Sequence, residues 1–516
     1  MPVSLLARIR RGVEKEGLRA TADGRLADTP HPRALGSALT HPCITTDFSE
    51  AQLELITGVH ERIEDCIGEL REIHQVVYRN IGDELLWGAS MPCSLPDDDH
   101  IPIGQYGRSN VGLAKSVYRM GLSHRYGRRM QTISGIHYNF SLPDRVWPLL
   151  QRADGNDGDP RDYRDNAYFS LIRNFRRHTW LLLYLFGASP AVCRSFVEGR
   201  EHALEPLADA TLYLPHATSL RMGPLGYQSD AQRSLTVSYN SLRSYAGSIR
   251  SALLEPYPAY EAIGVRDEAG RYRQLATTLL QIENEFYGTI RPKRRINPGE
   301  RPLHALADRG VEYVEVRCVD VDPFSPIGID AGMMRFLDIF LLHCLLSESP
   351  PDDPEDIARV ARNQHRAAQY GREPGELLIR GDGKVLLVDW AAELLVECQP
   401  IAAALDFAHS TGAYGEALTA ARAALADPAK TPSARVLKRM ASDHGNVFKS
   451  FALAQSQRHR DALLRARLSP DIVERYQTMA KESLATQRSI EHGDNETFES
   501  FLERYLSPDA LGVPFD

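Results

Sequence analysis

Two periodicities divide the chain. Before residue 349, several short stretches alternate apolar and polar side chains with period two, the spacing of a strand buried on one face. In residues 311–319, Tyr313, Glu315, Arg317 and Val319 share a face, so Glu315 and Arg317 project together, which in one isolated strand reads as an internal salt bridge. In 136–142, His137, Asn139 and Ser141 line one face, and Ile136, Tyr138 and Phe140 the other. Residues 281–287 read as a strand with Gln281, Glu283, Glu285 and Tyr287 on one face. Glu14 and Glu16 alternate likewise, and Glu54 sits between Leu53 and Leu55 within 45–56. Residues 264–275 suggest a hairpin turning near Gly270, and Phe324-Ser325-Pro326 a turn after a strand.

The second periodicity is helical. Residues 61–78 carry Ile63, Ile67, Leu70, Ile73 and Val77 on one face, and 163–186 read as a more deeply buried helix. After the breaker cluster Ser349-Pro350-Pro351-Asp352-Asp353-Pro354, helices are expected over 355–370, 401–426, 433–465 and 470–490. Gly381-Asp382-Gly383 marks a tight turn among them. The fold expected is α+β: a sheet-and-helix body over 1–348, with a mostly helical region, 349–516, packed on it as one catalytic unit.

Composition narrows the function. The chain has 516 residues, ample for a large core, and 60 Lys+Arg against 68 Asp+Glu give a net charge of -8. That balance argues against nucleic acid as a partner, which needs a basic footprint. Residues 180–193 are the most apolar stretch, but Gly187 and Pro190 interrupt a run too short to span a bilayer. No signal peptide is evident, so a cytoplasmic protein with no membrane partner is expected, and a monomer is the expected state. The seven cysteines form no C-x-x-C pair and read as small core hydrophobes in a reducing compartment. P-loop, G-x-G-x-x-G, H-E-x-x-H and G-x-S-x-G motifs are all absent.

The charged strand faces have two readings. Each polar face could meet water, as antiparallel sheets often do. Alternatively they form the concave lining of one curved sheet, where several carboxylates and a histidine would repel unless cations neutralise them. Hard carboxylate oxygens favour Mg²⁺ or Mn²⁺. The cluster Arg291-Pro292-Lys293-Arg294-Arg295 then offers a polyphosphate partner, unless it is a solvated basic loop. The residues thus point to a metal–nucleotide site without a P-loop, for phosphoryl transfer or hydrolysis, and name no substrate.

Long blocks go further. Glu14-Lys15-Glu16-Gly17-Leu18-Arg19, Ile44-Thr45-Thr46-Asp47-Phe48, Leu53-Glu54-Leu55-Ile56-Thr57, His137-Tyr138-Asn139-Phe140-Ser141, Ile290-Arg291-Pro292-Lys293-Arg294 and Glu315-Val316-Arg317 stand in an order that resembles the proteobacterial type of glutamate–cysteine ligase. The match is dense to about Leu346 and thins afterwards. Gly17, Cys43 and Arg108 depart from the family pattern. The resemblance implies a curved, mostly antiparallel sheet forming a funnel under helices, related to glutamine synthetase. It implies ATP-dependent joining of the γ-carboxylate of glutamate to the α-amine of cysteine through γ-glutamyl phosphate, the first step of glutathione biosynthesis. By the same resemblance Glu14, Glu16, Asp47, Glu54, His137 and Glu315 are metal ligands for Mg²⁺ or Mn²⁺. Lys293, Arg291 and Arg317 would meet the ATP phosphates, Lys293 and Arg317 as the catalytic cations. Phe48, Tyr118, Arg119, Tyr227 and Tyr287 would form the cysteine side of the pocket, and Arg221 would hold a substrate carboxylate.

Overall fold

A computed structural model describes residues 3–226, 230–233, 235–297 and 299–512. Its centre is an antiparallel sheet built from β1 (Arg10–Ala20), β2 (Ile44–Thr46), β3 (Gln52–Ile56), β4 (Leu85–Leu86) and β5 (Gly135–Ser141). Three short strands follow, β6 (Ala191–Cys193), β7 (Glu205–Ala208) and β8 (Thr211–Tyr213), which pair in a small sheet of their own. Two further strands, β9 (Ile290–Lys293) and β10 (Tyr313–Asp320), complete the main sheet in the order β2-β3-β1-β5-β10-β9, with β4 on β1. The expected turn at Gly381 joins a separate hairpin, β11 (Leu377–Arg380) and β12 (Gly383–Leu386).

Period two explains the sheet's two faces. Ile136, Tyr138 and Phe140 of β5 and Val314 and Val316 of β10 are buried in the main core. Helices Ile63–Tyr78, Pro160–Phe186 and Ala331–Leu346 supply the rest of that layer, including Leu70, Ile73, Phe169, Phe175 and Phe340. The first helical prediction holds over most of its length. The long helix starts at Pro160, where Asp159 accepts hydrogen bonds from the amides of Arg161 and Asp162. The same core takes in Leu394, Leu405, Leu418 and Leu463 from the C-terminal helices.

Four expectations change. Residues 281–287 form no strand; Glu283–Glu285 is a single 3₁₀ turn. Along β10 a bulge lies between Val316 and Val319, so Val319 falls into the core instead of sharing the face of Glu315 and Arg317. The helix expected over 401–426 is two, Gln399–His409 and Ala413–Ala426, broken where Ser410 adopts the left-handed conformation at φ 52°. That over 433–465 is also two, Pro432–Asp443 and Phe448–Arg465, interrupted by positive φ at Gly445 and Asn446. The cysteines change as well. Cys93 and Cys193 form a disulfide across 100 residues, while Cys43, Cys66, Cys318, Cys344 and Cys398 are free and buried. The 264–275 turn survives as one bridge, Arg266 to Tyr272. Among the described residues no helix is long and apolar enough to cross a membrane.

A charge pair is sealed beneath the sheet. Arg11 Nη2 lies 2.9 Å from Asp338 Oδ2, both side chains 0% exposed, and the Tyr138 hydroxyl donates to Asp338 Oδ1 at 2.7 Å. Removing one member of such a pair strands the other without water. Asp338→Ala is therefore expected to lower unfolding free energy by about 3–5 kcal/mol, measured by urea denaturation. A loss under about 1 kcal/mol would mean that the core can rehydrate Arg11.

Candidate active site

The polar face of β1, β3, β5, β9 and β10 lines a cavity of about 810 Å³. Strand register sets its floor: Glu14 lies opposite His137 and Glu16 opposite Glu54 on the strands flanking β1, while Glu315 lies opposite Asn139. His137 Nδ1 is 3.1 Å from Glu14 Oε2 and 3.9 Å from Glu315 Oε1, and His137 Nε2 is 3.5 Å from Glu16 Oε1. Ligand atoms of Glu14, Glu54 and His137 all fall within 4.8 Å of one another. Asn139 Nδ2 donates to Glu14 Oε1 at 2.9 Å, and the Gly135 amide to Glu16 Oε2 at 2.7 Å.

The carboxylates split into two electrostatic groups. Burial, then Glu14, Asp47 and Glu16, push Glu54 well above the ordinary carboxylate range. Burial and Asp47 likewise raise Glu16. Burial also works to raise Glu315, but Lys293, Arg317, His137 and Arg291 outweigh it and hold that carboxyl well below the usual range. Glu14 is lowered too: its hydrogen bond and charge contact with His137, with Lys293 behind, overcome burial and Glu315. The repulsion that lifts Glu54 and Glu16 is what a bound cation relieves, and five carboxylates with one imidazole suit hard divalent ions.

The cations stand opposite. Lys293 Nζ is 3.3 Å from Glu315 Oε1, and Arg317 Nη1 donates to Glu315 Oε2 at 3.1 Å. The basic cluster is not a free loop: Arg291 and Lys293 belong to β9, the edge strand, where Pro292 is tolerated. Arg291 Nη2 donates to the Asn284 and Phe286 carbonyls, and Arg294 turns away to the Arg309 carbonyl.

Other implied residues also line the cavity. Asp47, Phe48, Tyr118, Arg119, Arg221 and Tyr287 all do so. Arg119 Nε donates to the Asp47 carbonyl and its guanidinium lies 4.4 Å over the Tyr106 ring. Arg221 Nη2 donates to the Arg317 carbonyl at 2.8 Å and sits near Asp320, 3.7 Å away. The Tyr287 hydroxyl accepts from Gln131 Nε2 at 2.8 Å. Tyr227 lies outside the described residues. Glu283 and Glu285, expected on the polar face, turn away to buried arginines. Glu283 Oε2 is 2.7 Å from Arg301 Nη2 and Glu285 Oε1 is 2.8 Å from Arg125 Nη1, while Ile282, Asn284 and Phe286 line the cavity instead.

Lys115 and Arg176 also line the cavity and were missed from the sequence. Burial, then Arg119, push the Lys115 ammonium down to about 8. Lys115 and Arg119 lie one turn apart on the helix Asn110–Tyr126, a spacing that could have marked both. Gln364 and His365 of the helix Pro354–Tyr370, and Phe501 and Tyr505 of the helix Phe498–Tyr505, close the wall from the C-terminal region.

Known proteins resemble this chain along nearly all of its length. The family model described as glutamate-cysteine ligase matches residues 2–367. A glutamate–cysteine ligase of Saccharophagus degradans is 50% identical over 503 residues, 97% of this chain and 95% of that protein. One from Pseudomonas paraeruginosa is 51% identical over 501 residues, 97% of this chain and 94% of that protein. A 2.0 Å crystal structure of the Francisella tularensis glutamate–cysteine ligase in complex with AMP superimposes with a TM-score of 0.91 at 36% identity, covering 97% of each chain. The bifunctional glutathione synthetase of Pasteurella multocida shares the fold at 24% identity and a TM-score of 0.72, over 93% of this chain and 57% of that one. The chain belongs to the glutamate–cysteine ligase family, whose reaction is the first step of glutathione synthesis.

Proposed function

We propose that this chain joins the γ-carboxylate of L-glutamate to the α-amine of L-cysteine with ATP as phosphoryl donor, through γ-glutamyl phosphate. The observation that carries the reading is the facing of the carboxylate–histidine floor by Lys293, Arg291 and Arg317 in one cavity. A carboxylate is a poor acylating agent because oxide leaves badly, and phosphorylation supplies a good leaving group. A γ-carboxylate oxygen forms a bond to the ATP γ-phosphorus as the bridging oxygen leaves with ADP. The cysteine amine then attacks the acyl carbon, phosphate departs, and the amine nitrogen gives up its proton. Phosphoryl transfer needs alignment and charge neutralisation more than covalent help. Glu14, Glu16, Asp47, Glu54, His137 and Glu315 would hold Mg²⁺ or Mn²⁺, which when bound screens an anionic nucleophile from an anionic phosphate. Lys293 and Arg291 would grip phosphate oxygens, and Arg317 would meet the charge growing on the transferring group. Arg221 would hold a substrate carboxylate. The AMP bound by the Francisella tularensis relative supports an adenine nucleotide in this cavity.

ADP release from ATP tests the reading, with glutamate alone, cysteine alone, and both. Full turnover is expected only with both. Equal release without amino acids would make the chain a phosphohydrolase.

The acceptor series follows from the pocket. Only the amine of cysteine reacts, so its side chain is recognised by shape. Phe48, Tyr118 and Tyr287 offer a largely aromatic lining, which suits a small polarizable group. An ethyl group is close to CH₂–SH in size, so 2-aminobutyrate is expected to serve as an acceptor. Serine is expected to be much poorer, because its hydroxyl must be desolvated. Glycine loses contact area, worth about 1–3 kcal/mol in kcat/KM. If serine or a long-chain amine outperformed cysteine, the acceptor assignment would fall.

A further inference from the structure

Behind the main sheet, the helices Pro160–Phe186, Ala331–Leu346 and Leu387–Glu397 bring together side chains that the ligase chemistry leaves unused. His178, His343 and Cys344 each offer one ligand atom, and the three atoms lie within 4.8 Å of one another.

The hydrogen bonding is uneven. His343 Nε2 lies 2.7 Å from Glu397 Oε2. A carboxylate accepts, so the ring proton sits on Nε2 and Nδ1 is left as a bare lone pair. That Nδ1 is buried and has no partner, and neither has Nδ1 of His178. Two unpartnered imidazole nitrogens beside a thiol are costly in a dry core. An imidazole whose other nitrogen donates to a carboxylate is the usual arrangement of a metal-ligating histidine, because that bond fixes the tautomer and orients the ring.

We propose that His178, His343 and Cys344 bind one zinc ion or a similar thiophilic divalent cation, with water in the fourth position and Glu397 orienting His343. Nitrogen and sulfur donors select Zn²⁺ over the hard ions suited to the carboxylate cavity. Bond lengths of about 2.0 Å to nitrogen and 2.3 Å to sulfur set tetrahedral ligand atoms roughly 3.5 Å apart. The three ligand atoms already lie within 4.8 Å of one another, and the Cys344 proton leaves as the metal enters. The Glu397 side chain is 58% exposed, which gives an ion an approach from solvent.

Cobalt(II) is the probe, because only a thiolate site gives a sulfur-to-cobalt charge-transfer band and no cysteine belongs to the carboxylate cluster. The full-length protein, kept reduced with a phosphine, is titrated with Co²⁺, and Zn²⁺ is then added. The expected result is one equivalent of Co²⁺ with that band, displaced by Zn²⁺ and not by Mg²⁺. Cys344→Ser and His178→Gln abolish the band. Glu397→Gln, on an exposed side chain where folding is not at issue, weakens Zn²⁺ roughly 10–100-fold and leaves ligase turnover unchanged. Absence of the band in the reduced wild-type protein overturns the proposal whatever the variants do. So does a band that survives in a folded Cys344→Ser protein, or a Glu397→Gln protein with wild-type Zn²⁺ affinity.

Discussion

Glu315→Gln is expected to lower kcat roughly a hundredfold or more while the protein stays folded. The carboxylate is 1% exposed, and it is the shared partner of Lys293 at 3.3 Å and Arg317 at 3.1 Å. Glutamine keeps the shape and removes the charge. The carboxylate–histidine floor then loses a firmly ionised member, since Lys293 and Arg317 overcome burial to hold Glu315 well below the ordinary range. Both cations are also freed to swing from their present positions. Each factor of ten corresponds to about 1.4 kcal/mol of barrier, so the expected loss is about 3 kcal/mol or more. Folding should survive because water reaches Lys293 and Arg317, whose side chains keep 29% and 23% exposure, so neither is stranded as Arg11 would be beneath the sheet. Steady-state ADP release, with circular dichroism as the folding control, checks this. Near-normal kcat in a folded variant would remove Glu315 from the site.

What the chain discloses depends on how local the cause is. The faces of β1, β5 and β10 were legible because period two is a property of neighbouring residues. That placed Glu14 with Glu16, and Glu315 with Arg317, on one face of their own strands, but joining those faces to His137 in one lining took the resemblance, because strand pairing is a tertiary fact. The bulge at Val316–Val319 was not, because it belongs to the pairing with β5 rather than to β10 itself. Residues 281–287 misled for a similar reason. Their alternation is real, but Glu283 and Glu285 are claimed by Arg301 and Arg125, the latter 160 residues from Glu285, and those ion pairs pull the segment into a turn. The Cys93–Cys193 bond spans 100 residues with no spacing cue. The helix break at Ser410 needs a positive φ that serine does not announce as glycine does, whereas Gly445-Asn446 was a local turn signal that was passed over. Within the site, resemblance supplied roles that patterning could not. It passed over Lys115 and Arg176, which reach the cavity from helices whose placement is a tertiary fact.

Arg317→Ala is expected to carry a still larger loss, about a thousandfold in kcat, with little change in KM for cysteine. Arg317 has strongly anionic surroundings. Burial works against its charge, yet Glu315, Glu16 and Glu14 raise its pKa above the ordinary guanidinium value. It is thus a fixed positive group beside the floor, oriented by Glu315 and by the bulge that keeps it facing the cavity. A preorganised donor of this kind acts on charge that develops as the phosphoryl group transfers, which is why its removal should fall on kcat rather than on acceptor binding. Arg317→Lys keeps the charge but lacks the planar fork, so it should recover only part of the loss. Free guanidinium added to Arg317→Ala offers a second readout, because rescue requires a hole of the right shape at the reacting centre, whereas a merely structural defect would not respond. A folded Arg317→Ala enzyme within tenfold of wild-type kcat would return this residue to the role of an internal ion pair with Glu315.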